Sequence, residues 1–327
     1  MKIQLCHSFK DIICLENLLE AWKEFIRRKR NKSDVQEFFL KLMDNLFILH
    51  EDLSSDNYRH SGYQTFNISD PKPRNIHKAS VRDRLLHHAI YRILYPFFDK
   101  TFIADSYACR IKKGTHKAIN RFREFAYKVG KNNTRTCWIL KCDIKKFFAS
   151  IDHQVLLGIL NSYISDKQII RLLEEIIESF STKSGVGLPL GNLTSQLFVN
   201  IYMNEFDQLA KHKLQAKYYI RYADDFVILS QDKKWLLNII PKIKDFLWGE
   251  LHLQLHPDKI SIRTIASGVD FLGWVNFSDH RVLRNTTKRR MIKKLLLSQP
   301  HETLQSYLGL LTHGNTRKLR EKILKYS

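Results

Sequence analysis

Residues 218–229, YYIRYADDFVIL, decide how the chain is read. Two runs rich in aromatic and β-branched residues flank Ala223-Asp224-Asp225, a pattern of strand, turn and strand with two carboxylates at the tip. About 80 residues earlier a second apolar run, TCWILKCD (136–143), is a short strand ending in Asp143. DHQVLLGILNSYI (152–164) then has helical spacing with Asp152 as its N-cap. GVGLPLGN (185–192) is a turn-rich loop opening a helix with an apolar face through Leu193, Leu197, Ile201 or Tyr202, Phe206 and Leu209.

Outward from this centre, residues 15–50 show apolar residues at helical spacing, with the basic run Arg27 to Lys32 between two amphipathic segments. YQTFNISDPKPRNIHK (63–78) predicts a short hairpin with a Lys72-Pro73-Arg74 turn, and a helix is expected from Val81 to about Phe98. A helix over about 234–250 and one further strand in GVDFLGWVNF (268–277) follow. Residues 281–327 hold twelve Lys and Arg against two Glu and read as basic helices.

The chain has 54 Lys and Arg against 33 Asp and Glu, a formal charge of +21 over 327 residues. Such an excess repels itself unless a polyanion is the usual companion, so nucleic acid is the leading partner. A membrane is disfavoured because no apolar run reaches about 18 residues, and the N-terminus lacks the pattern of a secretory signal. A cytoplasmic location is therefore expected. Five cysteines (Cys6, Cys14, Cys109, Cys137, Cys142) with no CxxC pair argue for reduced, mostly buried thiols rather than disulfides or a zinc knuckle.

Joining a 3′-hydroxyl to an α-phosphate needs two Mg²⁺ ions about 4 Å apart, held by hard oxygen ligands. Asp143 with Asp224 and Asp225, from separate strands meeting at one sheet edge, suits that chemistry, whereas an isolated pair of aspartates is as readily a polar turn. The ordered set LKCDIKKFFASID, GLPLGNLTSQLFVNIYMNEFD, YIRYADDFVIL, LHLQLHPDKISI and VDFLGWV resembles the palm motifs of reverse transcriptases, from about residue 56 to the C-terminus. The resemblance implies an α+β right-hand polymerase. Its parts would be an α-helical N-terminal extension (1–55), fingers (56–135), a palm with an antiparallel catalytic sheet (136–278) and a basic helical thumb (279–327).

It also implies roles. Asp143, Asp224 and Asp225 would be catalytic; Asp143 and Asp224, with the carbonyl of Ile144, would hold two Mg²⁺, Asp225 standing closer to the supporting shell of the metal site, with Mn²⁺ a possible substitute. Lys72 and Arg74 would meet the triphosphate, the latter as a bidentate fork. Phe148 would stand against the sugar 2′ carbon and exclude ribose, where spacing alone leaves a core phenylalanine. Leu190 and Gly191 would border the nucleotide, and Lys259 would protonate the leaving pyrophosphate. Arg82 and Arg84 would lie beside the template unless one pairs with Asp83; Arg110 falls in a further family motif. Tyr222, the primer-grip-like Phe271, Leu272 and Gly273, and the thumb residues Arg289, Arg290 and Lys293 would contact nucleic acid.

One departure narrows the type. Leu190-Gly191-Asn192-Leu193-Thr194-Ser195-Gln196 stands where many reverse transcriptases begin with Gln-Gly and end in Ser-Pro. An aliphatic residue before Gly, with Ser-Gln at the end, resembles diversity-generating retroelements, whose enzymes err at template adenines. Leucine offers no hydrogen bond to the incoming nucleotide. That resemblance implies template RNA, a cDNA/RNA duplex and dNTPs as partners, and a small basic oligomeric accessory protein. A stand-alone anti-phage defence reverse transcriptase, a retron enzyme, an RNA-directed RNA polymerase and a catalytically inactive RNA-binding relative are the alternatives. Phe148 disfavours the RNA polymerase, and retention of the three aspartates disfavours the inactive relative.

Overall fold

Hydrophobic spacing organises the N-terminal third. The computed structural model describes residues 3–69, 73–297 and 301–324. Four helices, α1 (Phe9–Ile13), α2 (Leu15–Phe25), α3 (Ser33–Leu40) and α4 (Leu42–Ser54), precede the hairpin β1 (Gln64–Ile68) and β2 (Arg74–Lys78). Next come α5 (Val81–Phe98), α6 (Thr115–Val129), β3 (Trp138–Asp143), α7 (His153–Asn161), α8 (Lys167–Glu178) and α9 (Leu193–Gln208). The strands β4 (Tyr218–Tyr222) and β5 (Asp225–Ser230), α10 (Lys233–Gly249) and β6 (Ser261–Thr264) lead to β7 (Val269–Phe271), β8 (Trp274–Asn276) and β9 (Arg281–Leu283). Three helices close the chain: α11 (Asn285–Leu297), α12 (His301–Leu311) and α13 (Arg317–Leu324). No described helix is long and apolar enough to cross a membrane.

The chain divides into two compact units. The first comprises residues 1–104, Ile144–Leu209 and Lys244–Gln254. Here α5 packs on α2 and α9, and its Leu85, Leu86, Ala89, Ile90, Leu94 and Phe98 are removed from solvent. Ser80 starts that helix by accepting from the Asp83 amide at 3.1 Å. The buried Asp83 carboxylate accepts in turn from the Tyr58 hydroxyl (2.8 Å) and the Ser80 hydroxyl (2.7 Å), satisfying a charge that would otherwise be costly to bury. Asp152 caps α7 as expected, accepting from the Val155 amide at 3.1 Å. α9 is more deeply enclosed than an apolar stripe implies, since Thr194, Ser195, Asn200, Asn204 and Asp207 are buried along with its hydrophobic residues.

The second unit comprises Asp105–Asp143, Ala210–Ile243 and residues 255–327. Its antiparallel four-stranded sheet has the order β4-β5-β3-β6. α6 lies against β4 and β5, contributing Ala118, Ile119, Phe122, Phe125 and Val129 to a core that continues through Ile220, Val227 and Phe271. β7, β8 and β9 form a separate antiparallel sheet.

The fold is α+β, as expected, with local differences. GVDFLGWVNF is a hairpin rather than one strand: Leu272 (φ 51°) and Gly273 (φ 87°) turn the chain between β7 and β8. The basic C-terminal stretch begins with strand β9 and becomes helical only at Asn285, because Val282 and Leu283 pair with β8. The hairpin at 63–78 forms over five register pairs, while Lys72 in its connection lies outside the described residues. All five cysteines are free, but only Cys137 and Cys142 are buried, a correction to the expectation of mostly buried thiols.

Trp274 is 1% exposed, and a Cβ added at Gly314 would overlap its ring. Gly314→Ala is therefore expected to destabilise the protein by about 1–3 kcal/mol through overpacking, measured as a lower Cm in urea unfolding.

Candidate active site

Register delivers the carboxylates. Asp143, the last residue of β3, pairs directly with Asp225, the first of β5. Asp225 also pairs with Tyr222, so only Ala223 and Asp224 form the turn. The expectation of two carboxylates at the tip is thus corrected: Asp224 occupies the turn and Asp225 the strand. Ala223 takes a left-handed conformation (φ 54°), which costs a residue with a Cβ about 1–2 kcal/mol. Arg221, absent from the sequence-based site, supports this turn from below. Its guanidinium is fully buried and donates to the Ala223 carbonyl (3.3 Å) and the Ser106 hydroxyl (3.1 Å). A lone arginine in a strand pattern gives little notice of such a role; its position three residues before Asp224 is the available signal.

Two lysines approach the carboxylates. Lys259 Nζ lies 2.7 Å from Asp143 Oδ1, on a short helical turn whose entry is fixed where the His256 amide donates to the Asp143 carbonyl at 2.8 Å. Lys141 Nζ lies 4.0 Å from Asp225 Oδ1 and donates to the Asp270 carbonyl at 2.8 Å. The Asp270 carboxylate is in turn paired with Arg284 at 2.5 Å. Burial, followed by the charges of Asp225 and Asp143, pushes the Asp224 carboxyl up to about 6. Burial also raises Asp225, opposed chiefly by Lys141.

Among the described residues no three His, Cys, Asp or Glu side chains converge closely enough to enclose a metal ion. The donor chemistry nonetheless fits a divalent cation: these are hard carboxylate oxygens, and burial followed by the charges of Asp225 and Asp143 raises the Asp224 carboxyl above the usual carboxylate range. Ile144, which follows Asp143, is buried.

The expected nucleotide-binding residues Arg74, Phe148 and Leu190 meet in the first unit, around a cleft of about 610 Å³ that also involves Ile68, His77 and Phe180. The Leu190 carbonyl accepts from the His77 amide (3.0 Å), and the Asn192 amide group donates to the His77 carbonyl (3.1 Å). Gly191 lies between them at φ 111°, and a Cβ there would come 2.8 Å from Ile76 Cγ2. The loop and the hairpin are thereby fastened together. Arg74 is exposed and opens β2.

Other expected contacts fare differently. Arg82 pairs with Asp52 and Arg84 with Asp34, each at 2.5 Å; Asp83 lies 4.0 Å from Arg82. Both arginines thus fasten α5 to the N-terminal helices. Arg110 donates to the Ser106 carbonyl at 3.1 Å. The Tyr222 hydroxyl accepts from Thr115 at 3.0 Å. Phe271 is buried against Phe122 with ring centroids 5.4 Å apart, and the Gly273 carbonyl accepts from the Arg284 amide. On α11, Arg289 and Lys293 are exposed and Arg290 half-buried, while Met291 and Leu295 face the core.

Residues 68–275 match the family model described as reverse transcriptase (RNA-dependent DNA polymerase). The chain belongs to the reverse transcriptase family. This reverse transcriptase is 26% identical over 312 residues to Protein YkfC of Escherichia coli (strain K12), across 83% of this chain and 80% of that protein. It is 24% identical over 307 residues to the group II intron-encoded protein LtrA of Lactococcus lactis, across 71% of this chain and 49% of LtrA. The chain therefore spans about half of LtrA's length. The structure of apo telomerase from Candida tropicalis shares the fold, with a TM-score of 0.54 at 14% identity, over 76% of this chain and 52% of that one.

Asp224→Asn is expected to stabilise the metal-free protein at pH 7, because it removes a charge that the folded state disfavours. The Asp224 carboxyl titrates near 6 folded against about 3.9 unfolded, so the native state binds the extra proton between those values and wild-type stability falls as pH rises through that window. The advantage of the variant should be largest above pH 6 and shrink toward pH 4, read by urea unfolding in EDTA.

Proposed function

We propose that the enzyme copies RNA into DNA by two-metal-ion nucleotidyl transfer on Asp143, Asp224 and Asp225, and does so inaccurately as the polymerase of a diversity-generating retroelement. The observation carrying the chemical part is the direct register pairing of Asp143 with Asp225, with Asp224 in the adjoining turn. Mg²⁺, or Mn²⁺ in its place, would be held by these carboxylates with the Ile144 carbonyl, activating the attacking 3′-oxygen and stabilising pyrophosphate. The remaining work is positioning and charge stabilisation by the chain's own groups. Lys259 Nζ donates to Asp143 Oδ1 at 2.7 Å and would give a proton to the leaving pyrophosphate. Lys72 and Arg74 would hold the triphosphate, and Phe148 would press against the sugar where a 2′-hydroxyl would sit. Fingers (56–135), palm (136–278) and thumb (279–327) would divide these tasks, with Arg289, Arg290 and Lys293 following a phosphate backbone.

Leu190 supports the error-prone part. It borders the same cleft as Arg74 and Phe148 and brings no side-chain hydrogen bond to it. A mispaired nucleotide therefore forfeits no polar contact at this position. Template RNA, dNTPs and a small basic oligomeric accessory protein are the partners that this reading entails.

The deciding experiment is sequencing of cDNA made by the purified protein on a defined RNA with Mg²⁺, its flanking RNA and any neighbouring accessory protein. Substitutions concentrated opposite template adenines are expected. Faithful or repetitive cDNA would move the biology to a defence enzyme, and absence of product with every partner would favour the inactive RNA-binding relative. Asp224→Asn is expected to lower synthesis by about a hundred- to a thousandfold, the scale of losing one preorganised electrostatic group, with RNA binding retained. Phe148→Ala should raise ribonucleotide incorporation in single-nucleotide primer extension; an unchanged ratio of ribonucleotide to deoxyribonucleotide use would refute the gate.

A further inference from the structure

The catalytic sheet has a second end. Between the pairs Asp143↔Asp225 and Trp138↔Ser230 the β3–β5 ladder runs five residue steps, about 17 Å at the rise of a strand. At the Trp138 end, within the second unit, lies an open cleft of about 400 Å³. Lys128, Lys131 and Lys217 line it together with Tyr218, Trp235 and Gln231. Among the described residues, none of the side chains lining it is acidic.

Its construction is specific. Lys128 lies in the last turn of α6 and Lys131 follows in a loop where residues 131–133 all take positive φ (44°, 58° and 65°), which turns the chain sharply at the mouth. Gln231 donates to the Val129 carbonyl at 2.6 Å, tying the end of β5 to the end of α6. Tyr218 is held edge-on against Phe125, with centroids 5.2 Å apart. Lys217 lies 5.6 Å from the Tyr218 ring centre and Lys233 lies 4.7 Å from that of Trp138. The nearby acid Asp232 is committed to the start of α10, where it accepts from the Trp235 amide at 3.0 Å.

Exposed lysines beside the aromatic side chains of Tyr218 and Trp235 match a ligand that carries both phosphates and flat bases. A lipid surface would require apolar groups projecting outward, whereas Tyr218 and Trp235 are half-buried. We infer that this cleft is a second nucleic-acid site, binding single-stranded RNA at the end of the sheet remote from the catalytic carboxylates. The site goes beyond the polymerase reading, because none of these residues belongs to the proposed chemistry. It gives the enzyme a hold on an RNA strand that does not depend on the primer terminus.

The test uses the full chain and a fluorescein-labelled oligouridylate, with anisotropy titrations at several salt concentrations. The variant Lys128→Gln/Lys131→Gln/Lys217→Gln is compared with Lys10→Gln/Lys41→Gln/Lys167→Gln, which removes equal charge from exposed lysines elsewhere. The cleft variant should bind on the order of tenfold more weakly, with a salt slope shallower by about 2, as expected for three lost phosphate contacts to a single strand. The control variant should change far less. Extension of a saturating primer–template hairpin should keep the wild-type rate in both. Equal weakening in the two variants, or unaltered binding by the cleft variant, would overturn the site. A matching loss of extension rate would also overturn it, since these lysines would then serve the catalytic centre. Trp235→Phe supplies an independent readout: it should abolish most of the tryptophan quenching caused by the oligonucleotide, and undiminished quenching would count against stacking there.

Discussion

Two like charges are held face to face by a β-ladder. Asp143 and Asp225 are register partners, the arrangement in which same-sign side chains destabilise an antiparallel pair. The sheet tolerates them because three of the five other β3–β5 pairs are apolar: Ile139, Leu140 and Cys142 face Leu229, Ile228 and Phe226, all essentially removed from solvent. Cations offset the remainder, Lys259 beside Asp143 and Lys141 near Asp225. A fold built only for stability would place neutral residues here; this one concentrates acidic side chains at the end of its four-stranded sheet, with Lys259 and the more buried Lys141 beside them.

Much of this was legible in the sequence because the relevant signals are local. Strand, turn and strand around Asp224 follow from apolar runs broken by a short polar pair, and α5 from Val81 to Phe98 follows from spacing that the Ser80 cap confirms. The carboxylate partnership with Asp143 could be anticipated but not its register, since a strand sequence carries no mark of which residue lies opposite. Arg221 illustrates a harder limit. Its burial and its bond to the Ala223 carbonyl depend on the segment around Ser106 pairing alongside β4, a contact more than a hundred residues distant in sequence.

The same holds where expectation and structure part. Leu272 and Gly273 turn the chain inside an otherwise apolar run; a glycine in such a run suits a strand, a bulge or a turn, and the preceding leucine gives no hint of a left-handed backbone. The ion pairs of Arg82 and Arg84 with aspartates of the N-terminal helical segment are likewise absent from the local motif. Residues 33–55 offered those partners, but nothing within either segment names the other.

The fastening of Leu190 and Asn192 to His77 separates two demands on one loop. Leu190 bonds to the hairpin through its carbonyl, which every amino acid possesses, whereas Gly191 cannot carry a side chain without meeting Ile76. Position 190 is therefore free to change its chemistry toward the cleft while the attachment stays intact. A substitution at that position can reshape the lining of the cleft without taxing the ability to fold, and the adjacent glycine keeps the architecture constant as it does.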